Sequence, residues 1–197
     1  MVRNIGCLIS ILATVALAGS ALAQAKNSAL THCQSDERIQ FSCRIGAKVV
    51  SLCGGGTDGP LSSLTYRYGA SRKIEKEYAA RPDNANRFFG TIEPLNPRAV
   101  VEQIWFDQGK VRYLMTVCTG GNCPQHAGLA VLRRNRIIMN TPCVPFVDDD
   151  RGWFSSDLGT FSSQAANSQS STGLLVMEDV GGNELHKLFP HRGPPLW

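Results

Sequence analysis

The sequence predicts an all-β protein, an antiparallel meander of about eight strands that forms a small sandwich or barrel stapled by disulfides. Three observations lead to this prediction. Apolar and polar residues alternate along most of residues 38–143, turns rich in glycine or asparagine separate the alternating segments, and six cysteines follow an N-terminal apolar run. Alternation buries one face of each strand, whereas a helix would repeat its apolar residues every three or four positions.

The predicted strands are short and are joined by hairpin turns. Gly109 gives the turn between two strongly apolar segments the positive φ angle that a hairpin loop requires. Asn135, which tolerates the same backbone region, turns the last hairpin. The pattern breaks between Ala79 and Pro97, where several prolines predict a long ordered loop. The segments predicted as strands are 39–43, 49–53, 64–68, 74–78, 100–106, 111–118, 129–133 and 136–141.

The N-terminus has the organisation of a secretory signal peptide over residues 1–23. One basic residue, Arg3, precedes an apolar run from Cys7 to Ala18, and a small-residue cleavage site ends the segment at residues 21–23. The run is shorter than the roughly 20 residues that a membrane-spanning helix needs, so we expect cleavage and no membrane anchor afterwards. The expected location is the periplasm or the exterior of the cell.

The remaining chain is expected to hold one β domain at residues 33–147 and a flexible tail at 148–197. Seven serines fall between Ser155 and Ser171, and so polar a stretch has little to bury. A short strand could still form at 174–180. The net charge of +4 is mild and argues against nucleic acid as a partner, because such binders rely on many phosphate contacts.

The even number of mature cysteines indicates disulfides. Six cysteines allow fifteen pairings, of which we favour Cys43–Cys53, Cys118–Cys123 and Cys33–Cys143. The first of these pairs requires a loop of odd length, because a two-residue turn at residues 46–47 would place the two sulfurs on opposite faces of the hairpin. The cysteines concerned are Cys33, Cys43, Cys53, Cys118, Cys123 and Cys143.

No metal or cofactor site is expected. Zinc sites usually contain two closely spaced cysteine pairs, and this chain has one. The glycines at 54, 56 and 59 match a dinucleotide-binding spacing, but a strand follows them where that motif needs a helix. The aspartates at 148–150 could hold calcium, but a solvated turn is the favoured interpretation because further ligands are missing at loop spacing.

No catalytic residues are assigned. His126 lies near a cysteine loop and is the best-placed histidine, although no nucleophile motif accompanies it. The carboxylates that could form a hydrolytic pair include Glu75 and Glu77, whose alternation with Ile74 and Tyr78 fits a solvated strand face better. We therefore expect a protein that is not an enzyme.

Two features are candidates for partner binding. Arg133, Arg134 and Arg136 concentrate three guanidinium groups at one hairpin tip, where they could bind an acidic group or a phosphate. Phe88 and Phe89 fall in the predicted loop, where exposed aromatic residues could anchor a partner.

Several segments resemble a group of uncharacterised exported proteins of Gram-negative bacteria. The resemblance covers about the first half of the mature chain and implies a periplasmic address and a hairpin-rich fold, but no activity. The residues that carry it are Phe41-Ser42-Cys43, Lys48–Cys53, Tyr66–Gly69 and Ile74–Tyr78.

These observations together predict an exported periplasmic binding protein of the inhibitor or immunity kind, which acts on an envelope hydrolase or toxin. Two alternatives remain open at this point. One is a cell-envelope hydrolase that uses His126, and the other is a small-ligand carrier, if the strands enclose a cavity. The oligomeric state is not predicted.

Overall fold

Eleven β-strands are present in the residues that the computed structural model describes, which are 31–56, 59–96, 98–120, 127–144, 154–156 and 173–178. The same ranges contain no helix. The strands are β1 (Glu37–Ile45), β2 (Lys48–Gly55), β3 (Ser63–Ala70), β4 (Lys73–Ala80), β5 (Phe88–Asn96), β6 (Ala99–Gln108), β7 (Val111–Gly120), β8 (Ala127–Arg133), β9 (Arg136–Pro142), β10 (Phe154–Ser156) and β11 (Leu175–Met177).

The strands form two sheets, and the chain completes most of one before it enters the other. The first sheet has the order β10-β1-β2-β3-β4, and the second has the order β11-β5-β6-β7-β8-β9. Neighbouring strands pair antiparallel except for β11, which pairs parallel to β5. This arrangement confirms the predicted all-β fold of mostly antiparallel strands.

Side chains from both sheets meet in one core. Phe41 and Tyr66 from the first sheet are buried together with Phe106 and Met115 from the second. The rings of Tyr66 and Phe106 lie 4.9 Å apart between centroids, so the two sheets are in direct contact.

The turns use the residues that the sequence marks for them. Gly109 has a φ angle of 62° between β6 and β7. Arg134 and Asn135 have φ angles of 49° and 60° between β8 and β9. Positive φ at both central residues is the geometry of a two-residue turn whose twist matches that of the flanking strands.

The long loop predicted for residues 79–97 is wrong for its second half, because β5 occupies Phe88–Asn96. Pro94 is compatible with this strand. β11 pairs with β5 only at residues 88–90, so the side of β5 beyond that point is an edge at which no backbone N–H is needed.

The predicted β domain ends too early, at residue 147. β10 adds to β1 in the first sheet, and β11 adds to β5 in the second. The strand at Leu175–Met177 lies within the segment 174–180 that the sequence singled out. The rest of the predicted tail and the predicted signal peptide lie outside the described residues.

Two described disulfides correct the predicted pairing, because Cys33 bonds to Cys53 and Cys43 bonds to Cys143. The turn between β1 and β2 has two residues, and Ile45 pairs with Lys48 across it. The odd loop that a Cys43–Cys53 bond required is therefore absent.

Cys43 instead points into the core, where it meets Cys143 from the end of β9. Cys118 is disulfide-bonded as well. Its predicted partner Cys123 lies outside the described residues, so that pair stays a prediction.

Candidate functional site

The turns of two neighbouring hairpins in the second sheet form an open basic groove of about 620 Å³. The backbone N–H of Arg134 donates a hydrogen bond of 3.0 Å to the carbonyl oxygen of Lys110, which fixes the two tips to each other. The groove is lined by Lys110, Arg133, Arg134, Arg136, Ile137 and Ile138. We call this set the tip groove.

The cations of the tip groove lack anionic partners among the described residues. The described ion pairs join Lys48 to Glu75, Arg67 to Glu37 and Glu77, and Arg112 to Asp107. None of these pairs includes a side chain of the tip groove. Four positive charges at neighbouring tips, none of them in an ion pair with a described carboxylate, therefore attract an anion.

Arg112 shows how a nearby arginine differs from those of the groove. Its guanidinium donates two hydrogen bonds of 2.8 Å to the carboxylate of Asp107 and lies over the ring of Trp105. Its charge is already neutralised and its position is fixed. Arg112 is therefore a poor candidate for a residue that binds a ligand, although it lies on β7 beside the groove.

The apolar part of the tip groove is exposed. Ile137 keeps 43% and Ile138 keeps 55% of its surface accessible. The pairing of β8 with β9 shifts between Val131 and Leu132, which is a bulge that leaves an extra residue on β9. Two consecutive isoleucines are thus presented beside the cations, where a ligand with both charged and apolar groups would contact them.

The structure separates the two predicted partner-binding features. Arg133, Arg134 and Arg136 all line the tip groove, as the clustering at one hairpin tip predicts. Phe88 is fully buried, so the prediction of an exposed aromatic pair on a loop is wrong. Phe89 is partly buried and stacks on Trp105, with the ring centroids 6.1 Å apart.

Sequence reasoning missed Lys110 and the two isoleucines of the tip groove. In a meander, the β6–β7 and β8–β9 turns fall at the same end of the sheet, so Lys110 could have been placed beside the arginines. The exposure of Ile137 and Ile138 could not have been predicted from alternation alone, because the bulge interrupts it.

The other residues considered for chemistry do not form a described catalytic pair. Glu75 forms an ion pair of 2.6 Å with Lys48, and Glu77 accepts a hydrogen bond of 2.9 Å from Arg67. Both carboxylates thus belong to the outer face of the first sheet. His126 and the aspartates at 148–150 lie outside the described residues.

A buried polar cluster fixes the residues before β1 to the outer face of the first sheet. Arg67 donates hydrogen bonds of 2.5 and 3.0 Å to the two carboxylate oxygens of Glu37, and one of 3.2 Å to the carbonyl oxygen of His32. Burial alone would raise the pKa of Glu37, but hydrogen bonds from Arg67 and the backbone of Gln34 outweigh it and lower the pKa. The cluster is saturated by its own members, so we assign it a structural role.

One group in the described residues has the spacing of metal ligands. Donor atoms of Cys33, Glu37 and Cys53 lie within 4.8 Å of one another. The two sulfurs are bonded to each other, so they offer no thiolate to a metal ion. The group is therefore a disulfide beside a half-buried carboxylate.

No helix in the described part of the chain is long and apolar enough to span a membrane. Comparison with known proteins finds no matching family model, and no curated protein or solved structure matches the chain.

Proposed function

We propose that this protein is an exported, non-enzymatic binding protein that holds an acidic segment of a partner protein in the tip groove. The observation that supports this proposal is the set of four cations, without described carboxylate partners, beside two exposed isoleucines. An acidic segment with interspersed apolar residues complements both parts of the groove.

The kind of cation suits carboxylates as the bound groups. Three of the four cations are arginines, whose planar guanidinium can donate two parallel hydrogen bonds to one carboxylate. A hydrogen bond that involves a charged group contributes about 1.5–3 kcal/mol, so two or three such contacts can give a measurable affinity.

The scaffold supports a compartment outside the cytoplasm. Disulfides persist in oxidising compartments and are rare in reducing ones, and two are present in the described residues. The predicted signal peptide agrees with this location. A periplasmic address, a partner in the cell envelope and an inhibitor or immunity role are parts of the proposal.

The test measures binding of a defined peptide to the oxidised protein lacking residues 1–23. The probe is a fluorescein-labelled peptide of alternating glutamate and valine, and fluorescence anisotropy gives its Kd. We expect binding at low ionic strength that weakens at high salt, because exposed charges are screened. Arg133→Glu with Arg136→Glu should weaken binding at least tenfold, since attraction becomes repulsion.

A matched control reverses two charges at a different hairpin tip. Arg72 and Lys73 are exposed at the β3–β4 turn of the first sheet. Arg72→Glu with Lys73→Glu changes the net charge by the same amount and should leave the Kd within about twofold. The tenfold loss expected for the groove variant corresponds to about 1.4 kcal/mol of binding free energy. Absence of peptide binding, or equal loss in the two double variants, would contradict the proposal.

A further inference from the structure

We infer that the acidic segment binds as an added β-strand along the free edge of β9. This inference rests on the proposed function, because the cations of the tip groove supply its charge complementarity. Strand addition would supply what the groove lacks, namely backbone hydrogen bonds that fix the direction and register of the segment.

β9 is an edge strand that is almost completely exposed. It ends the order of the second sheet, and no described strand pairs with its outer side. Five of its seven residues are exposed, and the other two, Met139 and Thr141, are half-buried. An exposed edge presents unpaired N–H and C=O groups that can accept another strand.

The edge of the first sheet at β4 is also exposed, but it differs from β9 in its charges. β4 carries charges of both signs at Lys73, Glu75, Lys76 and Glu77, which discourage pairing with another strand. β9 contains no acidic residue and exposes two isoleucines. One edge is thus protected against strand addition, whereas the other favours an acidic strand.

The hairpin geometry directs backbone groups of β9 outward. Arg133 pairs with Arg136 across the two-residue turn, and the closing pair of such a hairpin exchanges its hydrogen bonds internally. The next pair is Leu132 with Ile137, and alternation makes it a pair without mutual hydrogen bonds. The N–H and C=O of Ile137 therefore face the free edge, at the apolar part of the tip groove.

The dimensions fit a short extended segment. The seven residues of β9 span about 24 Å, at about 3.4 Å per residue. Its N-terminal end lies at the arginines, and Pro142 terminates it at the other end. A segment of about seven residues with carboxylates near the arginine end would use both the charges and the backbone.

A partner strand suits this edge better than a second copy of the protein. A second β9 would bring arginines and no carboxylates to the edge, so the positive charges of the tip groove would stay uncompensated. An acidic strand neutralises them while it pairs with Ile137.

The decisive experiment compares two peptides that carry the same charge. One is the alternating glutamate–valine peptide, and its twin is N-methylated at two consecutive central residues, so that both of its edges lose a donor. We expect the twin to bind at least tenfold more weakly. Amide hydrogen exchange should also show that the unmodified peptide slows exchange at Ile137.

Variants of the protein supply the second arm. Ile137→Pro removes the outward N–H, and proline is tolerated at an edge position of this kind, so peptide binding should fall at least tenfold. Ile137→Val keeps the N–H and should bind more tightly than Ile137→Pro. As the matched control, Ile74→Pro makes the same change at the second residue of the edge strand β4, where Ile74 is 45% exposed, and should leave peptide binding within about twofold. If Ile137→Pro does not fold, hydrogen exchange on the unaltered protein decides.

The possible results distinguish the inference from the proposed function. Equal binding of both peptides that still depends on Arg133 and Arg136 would overturn strand addition and leave the acidic-segment function in place. No binding of either peptide would overturn both. Self-association that Ile137→Pro abolishes, without peptide binding, would assign the edge to a second copy and also overturn the inference.

Discussion

Arg67 connects several residues on the outer face of the first sheet through hydrogen bonds. Its side chain is 7% exposed, and its guanidinium contacts Glu37, Glu77 and the carbonyl oxygen of His32. Removal of one partner from such a pair leaves a buried charge uncompensated, which is more costly than loss of a surface ion pair. The Glu37–Arg67 pair should therefore contribute measurably to stability, in contrast to Lys48–Glu75, whose side chains are about one-third exposed.

The lowered pKa of Glu37 predicts an acid-sensitive component of stability. Because the pKa in the folded state is below the ordinary 4.5, the stabilisation is fully present above that value and is lost as pH falls through the folded-state pKa. Glu37→Gln should reduce the free energy of unfolding by about 1–3 kcal/mol at pH 7 and by less at pH 3. Urea denaturation at the two pH values measures both quantities.

Glu75→Gln serves as the control, since it removes a carboxylate from an exposed ion pair. It should change the free energy of unfolding by less than about 1 kcal/mol at either pH. A loss in Glu37→Gln that is the same at both pH values would show that the ionised pair is not its cause.

The strand β5 shows at the scale of an element why an apparent loop joins the core. Phe88 is fully buried, with its ring centroid 5.2 Å from that of Tyr78 and 5.5 Å from that of Phe106. The first residue of β5 thus links the last strand of the first sheet to the centre of the second. Loss of this ring would leave a cavity between the sheets.

Phe88→Ala should destabilise the protein by about 3–5 kcal/mol, the usual range for a buried phenylalanine. Ile138→Ala, at a position that keeps 55% of its surface, should stay within about 0.5 kcal/mol. Chemical denaturation of the two variants measures both. A small effect of Phe88→Ala would contradict the assignment of this ring to the core.

The sequence is sufficient to predict most of the strands and the hairpin tip, but not what depends on distant contacts. Alternation in Leu64-Tyr66-Tyr68 makes β3 predictable as a strand, but it does not reveal that Thr65 and Arg67 on the opposite face are buried as well. Pro94 weakens the strand signal in β5, because proline is rare within strands. The structure tolerates it because β11 pairs with β5 only at residues 88–90. The arginine cluster is predictable because its members are close together in the sequence. The groove is harder to predict because it also includes Lys110, which comes from another hairpin.

At the scale of the whole molecule, the two described disulfides join different parts of the structure. Cys33–Cys53 ties the residues before β1 to β2 and spans 20 residues of sequence. Cys43–Cys143 ties the first sheet to the end of the second and spans 100 residues. The second bond therefore restricts the unfolded chain much more strongly than the first.

Removal of each bond as a pair of alanines should show this difference. Loop-closure entropy gives about 3.3 kcal/mol for Cys33→Ala with Cys53→Ala, and about 4.7 kcal/mol for Cys43→Ala with Cys143→Ala. The second double variant removes two buried sulfurs, at Cys43 and Cys143, whereas the first removes one, at Cys53, which increases the gap. The urea midpoints of the two double variants show which loses more stability. A larger loss on removal of Cys33–Cys53 would contradict the expected difference.

The connectivity also imposes a sequence of events on biosynthesis. Cys43 lies inside the ring that Cys33 and Cys53 close, yet its own partner follows 100 residues later. As the chain emerges from its N-terminus, the first cysteines to meet an oxidant are not a native pair. Cys43 must therefore stay reduced until β9 has been made, or an early bond must be exchanged through a mixed disulfide. A host for this protein therefore has either to delay the oxidation of Cys43 or to reshuffle disulfides.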